Sequence, residues 1–173
     1  MNEALQNLLT RRSVRQYRDE MIPEDILDAI LKSGLYAPSG RNFQPVTMVA
    51  VRDRATRDLL SKMNAAVMGA DSDPFYGAPV VIVVLADRNL SHLGVEDGSL
   101  AMGNLMNAAH ALGIGSCWIN RAKEEFESEE GKALLKKWGL EGDFVGIGHC
   151  ILGYPAVDLP PARERREGRI VKI

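Results

Sequence analysis

The sequence predicts a mixed α and β domain with one three-layer core, and three observations carry that expectation. Segments with apolar residues at helical spacing alternate with short β-type runs. The run APVVIVVLA, residues 78–86, is apolar without a break, which suits a strand covered by helices on both faces. A chain of 173 residues, 46% hydrophobic and 25% charged, has the length and composition of a single ordinary domain, and no repeat, low-complexity segment or linker divides 1–173.

The elements follow in order. Leu5, Leu8 and Leu9 give residues 2–9 a helical stripe that ends at an arginine cluster. Pro23 opens a second helix, whose acidic first turn, Glu24 and Asp25, suits the positive helix end and which Gly34 stops. The turn-rich loop APSGRNFQP leads into the strand VTMVAV, and a third helix fills 54–66. MGADSDPFYG has no period and reads as a loop or lid, with Phe75 and Tyr76 as either lid residues or core. After strand 78–86, residues 95–112 form a helix so apolar around its circumference that it belongs at the centre or at an interface. GSCWIN is a short strand, 123–138 a charged amphipathic helix, and FVGIGHCILGYP an apolar strand broken by glycines. The tail PPARERREGRIVKI closes on a strand-like RIVKI.

Composition excludes several classes. With 21 basic and 23 acidic residues the net charge is −2, which attracts neither nucleic acid nor an anionic membrane. The longest apolar run is too short to span a bilayer, and MNEALQNLL lacks the cationic start and apolar core of a signal peptide, which predicts a cytoplasmic protein. Cys117 and Cys150 read as reduced core thiols, with a single bridge as the alternative. His149 beside Cys150 lacks the paired spacing of a zinc site, and there is no Walker sequence, complete dinucleotide fingerprint or nucleophile elbow.

Three clusters could carry chemistry. RRSVRQYR places Arg11, Arg12, Arg15 and Arg18 within eight residues, with the Ser13 hydroxyl among them. Guanidinium forks match phosphate oxygens, so this is either an anion site or a solvated face balanced by Asp19 and Glu20. In the tail, Arg163 and Arg165 would share one side of an extended segment and reach one phosphate, or else belong to a frayed end. In APSGRNFQP, Pro38 and Gly40 fix a turn on which Ser39, Asn42 and Gln44 offer hydrogen bonds suited to the polar edge of a flavin or nucleobase, or merely cap the turn.

The succession RRSVRQYR, APSGRNFQP, FYGAPVVIVV, GIGSCWIN and GYP before an Arg-rich end resembles, nearly end to end, the FMN-dependent nitroreductase family in its short branch. That resemblance implies an α+β fold, with a central, mostly antiparallel sheet flanked by helices, built as an intertwined homodimer with FMN at the subunit interface. It implies phosphate and ribityl contacts from Arg11, Ser13 and Arg15, helped by Arg12, and a turn Pro38–Gly40 laid on the flavin by the partner chain. Relatives often carry serine where this chain has Gly40. Asn42 and Gln44 match contacts to the ring's polar edge, and Arg163 and Arg165 a basic pair on the phosphate. The loop after GSCWIN would offer a backbone N–H to the flavin N5, placing Asn120 and Arg121, where relatives often have glycine, beside the reactive atom.

The activity so implied is reduction of nitroaromatics, quinones or similar small acceptors by NADH or NADPH in a ping-pong cycle. FMN carries the hydride and no side-chain nucleophile takes part. The alternatives are a narrower flavin enzyme, such as a dehalogenase or enone reductase, and a flavin-binding or sensing protein with little turnover, suggested by bulky Asn120 and Arg121.

Overall fold

Residues 1–173 are described by a computed structural model. In chain order the elements are α1 (Glu3–Thr10), α2 (Glu24–Leu35), β1 (Val46–Val51), α3 (Arg54–Met68), β2 (Val80–Asp87), α4 (Gly94–Ala111), β3 (Gly115–Ile119), α5 (Ala122–Glu127), α6 (Glu129–Lys137) and β4 (Phe144–Gly153), with one 3₁₀ turn at Gly40–Asn42. Several boundaries have local causes. Asn2 caps α1 through Leu5 N–H, Asp53 caps α3 through Thr56 N–H, and Gly69 ends α3 in the left-handed conformation that glycine adopts without steric cost.

The four strands form one antiparallel sheet in the order β1-β2-β4-β3. Val80 to Ala86 are all fully buried, as expected for a strand covered on both sides. Alternate side chains enter two cores. Val80, Ile82, Val84 and Ala86 pack with Leu27 and Ile30 of α2 and Met102 and Leu105 of α4, while Val81, Val83 and Leu85 pack with Leu60 of α3, Phe126 of α5 and Leu134 of α6. The result is the expected three layers.

Three expectations need correction. The helix placed at 123–138 is two helices, because Ser128 ends α5 and caps α6. Its hydroxyl donates to Glu125 O (2.6 Å) and accepts from Gly131 N–H (3.0 Å). Strand β4 is continuous, since its glycines make room for neighbours. A Cβ at Gly146 would strike the Ala122 carbonyl that begins α5, and one at Gly148 the Trp118 indole. A register shift opposite Val84 and Leu85 absorbs one extra residue there. RIVKI forms no strand within the single chain, and Ile170, Val171 and Ile173 lie exposed because they have no strand to pair with. Cys117 and Cys150 are buried and unbridged, and burial pushes the Cys150 thiol far above its usual range, which keeps it protonated. No helix is long and apolar enough to cross a membrane.

Replacing Gly146 with alanine should force the start of α5 off β4. We expect a loss of about 1–3 kcal/mol in urea unfolding, the range for overpacked cores; unchanged stability would show that this approach is not tight.

Candidate active site

The basic segment is held where β3 begins and β4 ends. Val14 N–H donates to Ser116 O (2.9 Å), Arg18 N–H to Tyr154 O (2.9 Å), and Ala156 N–H to Gln16 O (3.0 Å). Along that segment no ion pair involves Arg11, Arg12 or Arg15, so the balance by Asp19 and Glu20 is not formed. Arg11 Nη1 is buried with no hydrogen-bond partner, and so is Arg12 Nε. A buried guanidinium N–H without an acceptor is costly, so its position suits an anion the chain does not itself supply. Arg12 spends Nη1 on the carbonyls of Leu9 (2.9 Å) and Arg11 (2.8 Å), closing α1, which makes Arg11 the freer of the two. His110 of α4 shares a hydrogen bond with Thr10 (2.9 Å), and burial together with the Arg11 and Arg12 charges holds its imidazole below the ordinary range.

A cavity of about 470 Å³ joins the first cluster to the loop after β3: Arg15, Tyr76, Trp118, Asn120 and Arg121 line it. A smaller one of about 280 Å³ lies between Ser13–Gln16 and Val157–Pro160, where the tail crosses the basic segment. Phe75 is fully buried core, whereas Tyr76 is an exposed residue lining the cavity, at φ 53°.

The other predicted residues lie elsewhere. Pro38, Ser39 and Gln44 line a separate recess of about 150 Å³ with Asp97 and Ala101. Ser39 Oγ accepts from Gln44 N–H (3.0 Å), the Gln44 amide donates to Asn42 Oδ1 (3.0 Å), and Gly40 N–H donates to Asp97 Oδ1 (2.9 Å). The loop is thus a preformed turn, with Arg41, Asn42 and Gln44 at positive φ. A Cβ at Gly40 would lie 2.5 Å from Leu93 Cδ1, the end of a flexible side chain, so a larger residue there needs that leucine to turn aside. Arg163 and Arg165 sit in the exposed tail and form neither hydrogen bond nor ion pair. One chain therefore brings together Arg15, Asn120 and Arg121 and leaves the 38–44 turn and the tail arginines apart.

Sequence reasoning missed two groups. Asp73 ties the loop after α3 to that helix: its carboxylate accepts from Arg57 Nη2 (2.6 Å), Ser61 Oγ (2.6 Å), Phe75 N–H (2.9 Å) and Gly77 N–H (2.7 Å). The Asp-Pro step was a turn signal, but its partners on α3 are distant in sequence. The second is a buried set formed by Asn64, Glu125 and His149 beneath Asn120 and Arg121. No local pattern announces it.

The fold is α+β, with a cavity lined by Arg15 and Arg121 along β3. A sequence model of the Nitroreductase family matches residues 8–154, and the chain belongs to that family. It is 38% identical over 159 residues to an Archaeoglobus fulgidus relative assigned as an NADH dehydrogenase/NAD(P)H nitroreductase, covering 90% of this chain and 87% of the other. It is 28% identical to the Bacillus subtilis FMN reductase [NAD(P)H], covering 90% of this chain and 67% of that one. The crystal structure of a Bacteroides fragilis nitroreductase with bound FMN superimposes with a TM-score of 0.90 over the full length of both chains, at 30% identity.

Partial burial works against ionisation of Asp73, but the Arg57, Ser61, Gly77 and Phe75 donors outweigh it and hold its carboxyl below the ordinary range. A depressed carboxylate stabilises above its unfolded pKa and loses that contribution as pH falls through the folded one. Asp73→Asn should therefore cost about 1–3 kcal/mol at neutral pH, and the gap to wild type should narrow below about pH 4. A gap independent of pH in urea melts would contradict this role.

Proposed function

We propose that the chain is an NAD(P)H-dependent FMN oxidoreductase, acting as a homodimer on nitroaromatic, quinone or similar small acceptors. The observation that carries this reading is that Arg11, Arg12 and Arg15 form no ion pair, with Arg11 Nη1 and Arg12 Nε buried and unpartnered, while Arg15 lines the cavity that Asn120 and Arg121 also line. Such a donor set fits the phosphate of FMN, and membership in the nitroreductase family, with relatives named for FMN reduction, supports the same cofactor.

Bound FMN would supply hydride chemistry at N5, from reduced nicotinamide to acceptor. The chain's share is binding and orientation. Arg11 and Arg15 would hold the phosphate, Ser13 would add a donor near it, and the backbone after β3 would meet the ring. Arg12 is the weaker helper, since it also closes α1. The 38–44 turn and Arg163 and Arg165 lie outside this groove in their own chain, so their part in the reading needs a second copy to deliver them. Exposed apolar residues suit that assembly: Leu5, Leu8 and Leu9 of α1, Leu100 of α4, and the unpaired RIVKI end. The crowding that favoured a low-turnover protein is reduced, because Arg121 Nε is tied to Asn64 (2.9 Å), drawing the guanidinium against α3. The particular acceptor and a cytoplasmic location complete the reading.

Purified protein should show a flavin absorption spectrum that bleaches under argon with NADH or NADPH and recovers on adding menadione or a nitroaromatic. A protein that neither carries nor takes up FMN would overturn the assignment. Arg11→Ala with Arg15→Ala should weaken FMN binding about a hundredfold, for two charge-assisted contacts of about 1.5–3 kcal/mol each taken together with partial compensation; unchanged retention on dialysis would place the phosphate elsewhere.

A further inference from the structure

We propose that Asn64 of α3 is the positioning residue for the flavin-facing loop, setting the direction in which the Asn120–Arg121 peptide presents its N–H. The inference rests on the flavin reading above and assigns a residue outside the groove to it.

Asn64 is fully buried, and both ends of its amide are engaged. Its Oδ1 accepts from Arg121 Nε (2.9 Å), while Nδ2 donates to the Asn120 carbonyl (2.7 Å) and to Glu125 Oε1. The partners fix the amide's orientation. A guanidinium can only donate, and a carbonyl and a carboxylate can only accept, so turning the amide over would break all three bonds. Glu125 is held in turn, since His149 Nε2 lies 3.0 Å from both its oxygens, with Phe75 and Phe126 packed on the imidazole. Asn64 thus stands on a rigid base and reaches both residues of the loop.

The consequence for the backbone is geometric. The chain has no cis peptides, so the C=O and N–H of the Asn120–Arg121 unit point in opposite directions. Drawing the Asn120 carbonyl inward to Asn64 turns the Arg121 N–H outward, and that N–H has no hydrogen-bond partner in the chain. Arg121 also sits at φ 80° and ψ 2°, a left-handed conformation that costs a non-glycine residue about 1–2 kcal/mol. Such a backbone persists when its surroundings hold it, and here one buried amide binds the residue on either side of the peptide bond.

Two variants separate the bonds. Asn64→Leu keeps the approximate shape and removes all three, whereas Asn64→Asp keeps the acceptor for Arg121 and removes both donors. With FMN labelled with ¹⁵N at N5, the N5 resonance in both variants should move from its wild-type position toward that of a flavin lacking this hydrogen bond. Flavin reduction at saturating NADH should slow by about tenfold to a hundredfold, as expected of a misplaced reacting group, while the Kd for FMN rises by no more than about tenfold, the loss of one hydrogen bond, because Arg11 and Arg15 are untouched. An unmoved N5 resonance with an unchanged reduction rate would overturn the proposal. Loss of the fold in both variants would overturn it too, since Asn64 would then be holding the core rather than one peptide. If wild type takes up no FMN, it is the flavin reading that fails; amide exchange over residues 120–125 then tests the brace alone, and must quicken in both variants for it to stand.

Discussion

Strand β2 is dry on both faces, and that condition organises the rest of the molecule. A strand with no wet side needs a helical layer above and below, which α2 and α4 supply on one face and α3, α5 and α6 on the other. Polar chemistry is thereby pushed to the ends and outer strand of the sheet. The basic segment runs beside the start of β3 and the end of β4, and the loop after β3 opens the cavity next to it. The small residues of β4 belong to the same constraint, because Gly146 and Gly148 let α5 and Trp118 close against the strand and so fix where that loop begins.

Charge distribution gives the groove its character. The chain pairs Arg57 with Asp73 and Arg88 with Glu127 and Asp143, yet leaves Arg11, Arg15 and Arg121 without carboxylates although acidic residues outnumber basic ones. Arg11 and Arg12 also lie near the partly buried His110, whose imidazole their charges help hold below its ordinary range, and such unneutralised guanidinium groups are what the proposed phosphate contact would use. The 38–44 turn lies at a different recess and the tail is exposed, so in the proposed dimer a second copy would have to bring them to the groove.

Much of this was legible in the sequence where causes are local. Helical spacing located α1 to α4 to within a few residues, the continuous apolar run identified β2, and the ordered motifs identified the family. Features that depend on contacts distant in sequence were not. Ser128 looks like any polar residue in a charged helix until its hydroxyl is seen serving two helices at once. Glycines that weaken a strand on propensity alone are tolerated in β4 because neighbours fill the space they leave. The Asn64, Glu125 and His149 set joins α3, α5 and β4, and only the fold brings it under the loop.

The central claim is that the flavin site is divided between two copies, with the arginine groove from one and the 38–44 turn from the other. Co-expression with two affinity tags can isolate a mixed dimer in which one chain carries Arg11→Ala with Arg15→Ala and the other carries Pro38→Gly with Asn42→Ala. FMN content per dimer is the measurement. A shared site predicts that each homodimer of variants binds FMN poorly, while the mixed dimer regains one intact site and about half of wild-type loading, because one of its two sites then holds no substitution. Mixed dimers that bind no better than either parent would contradict the division, and place the whole site within a single chain.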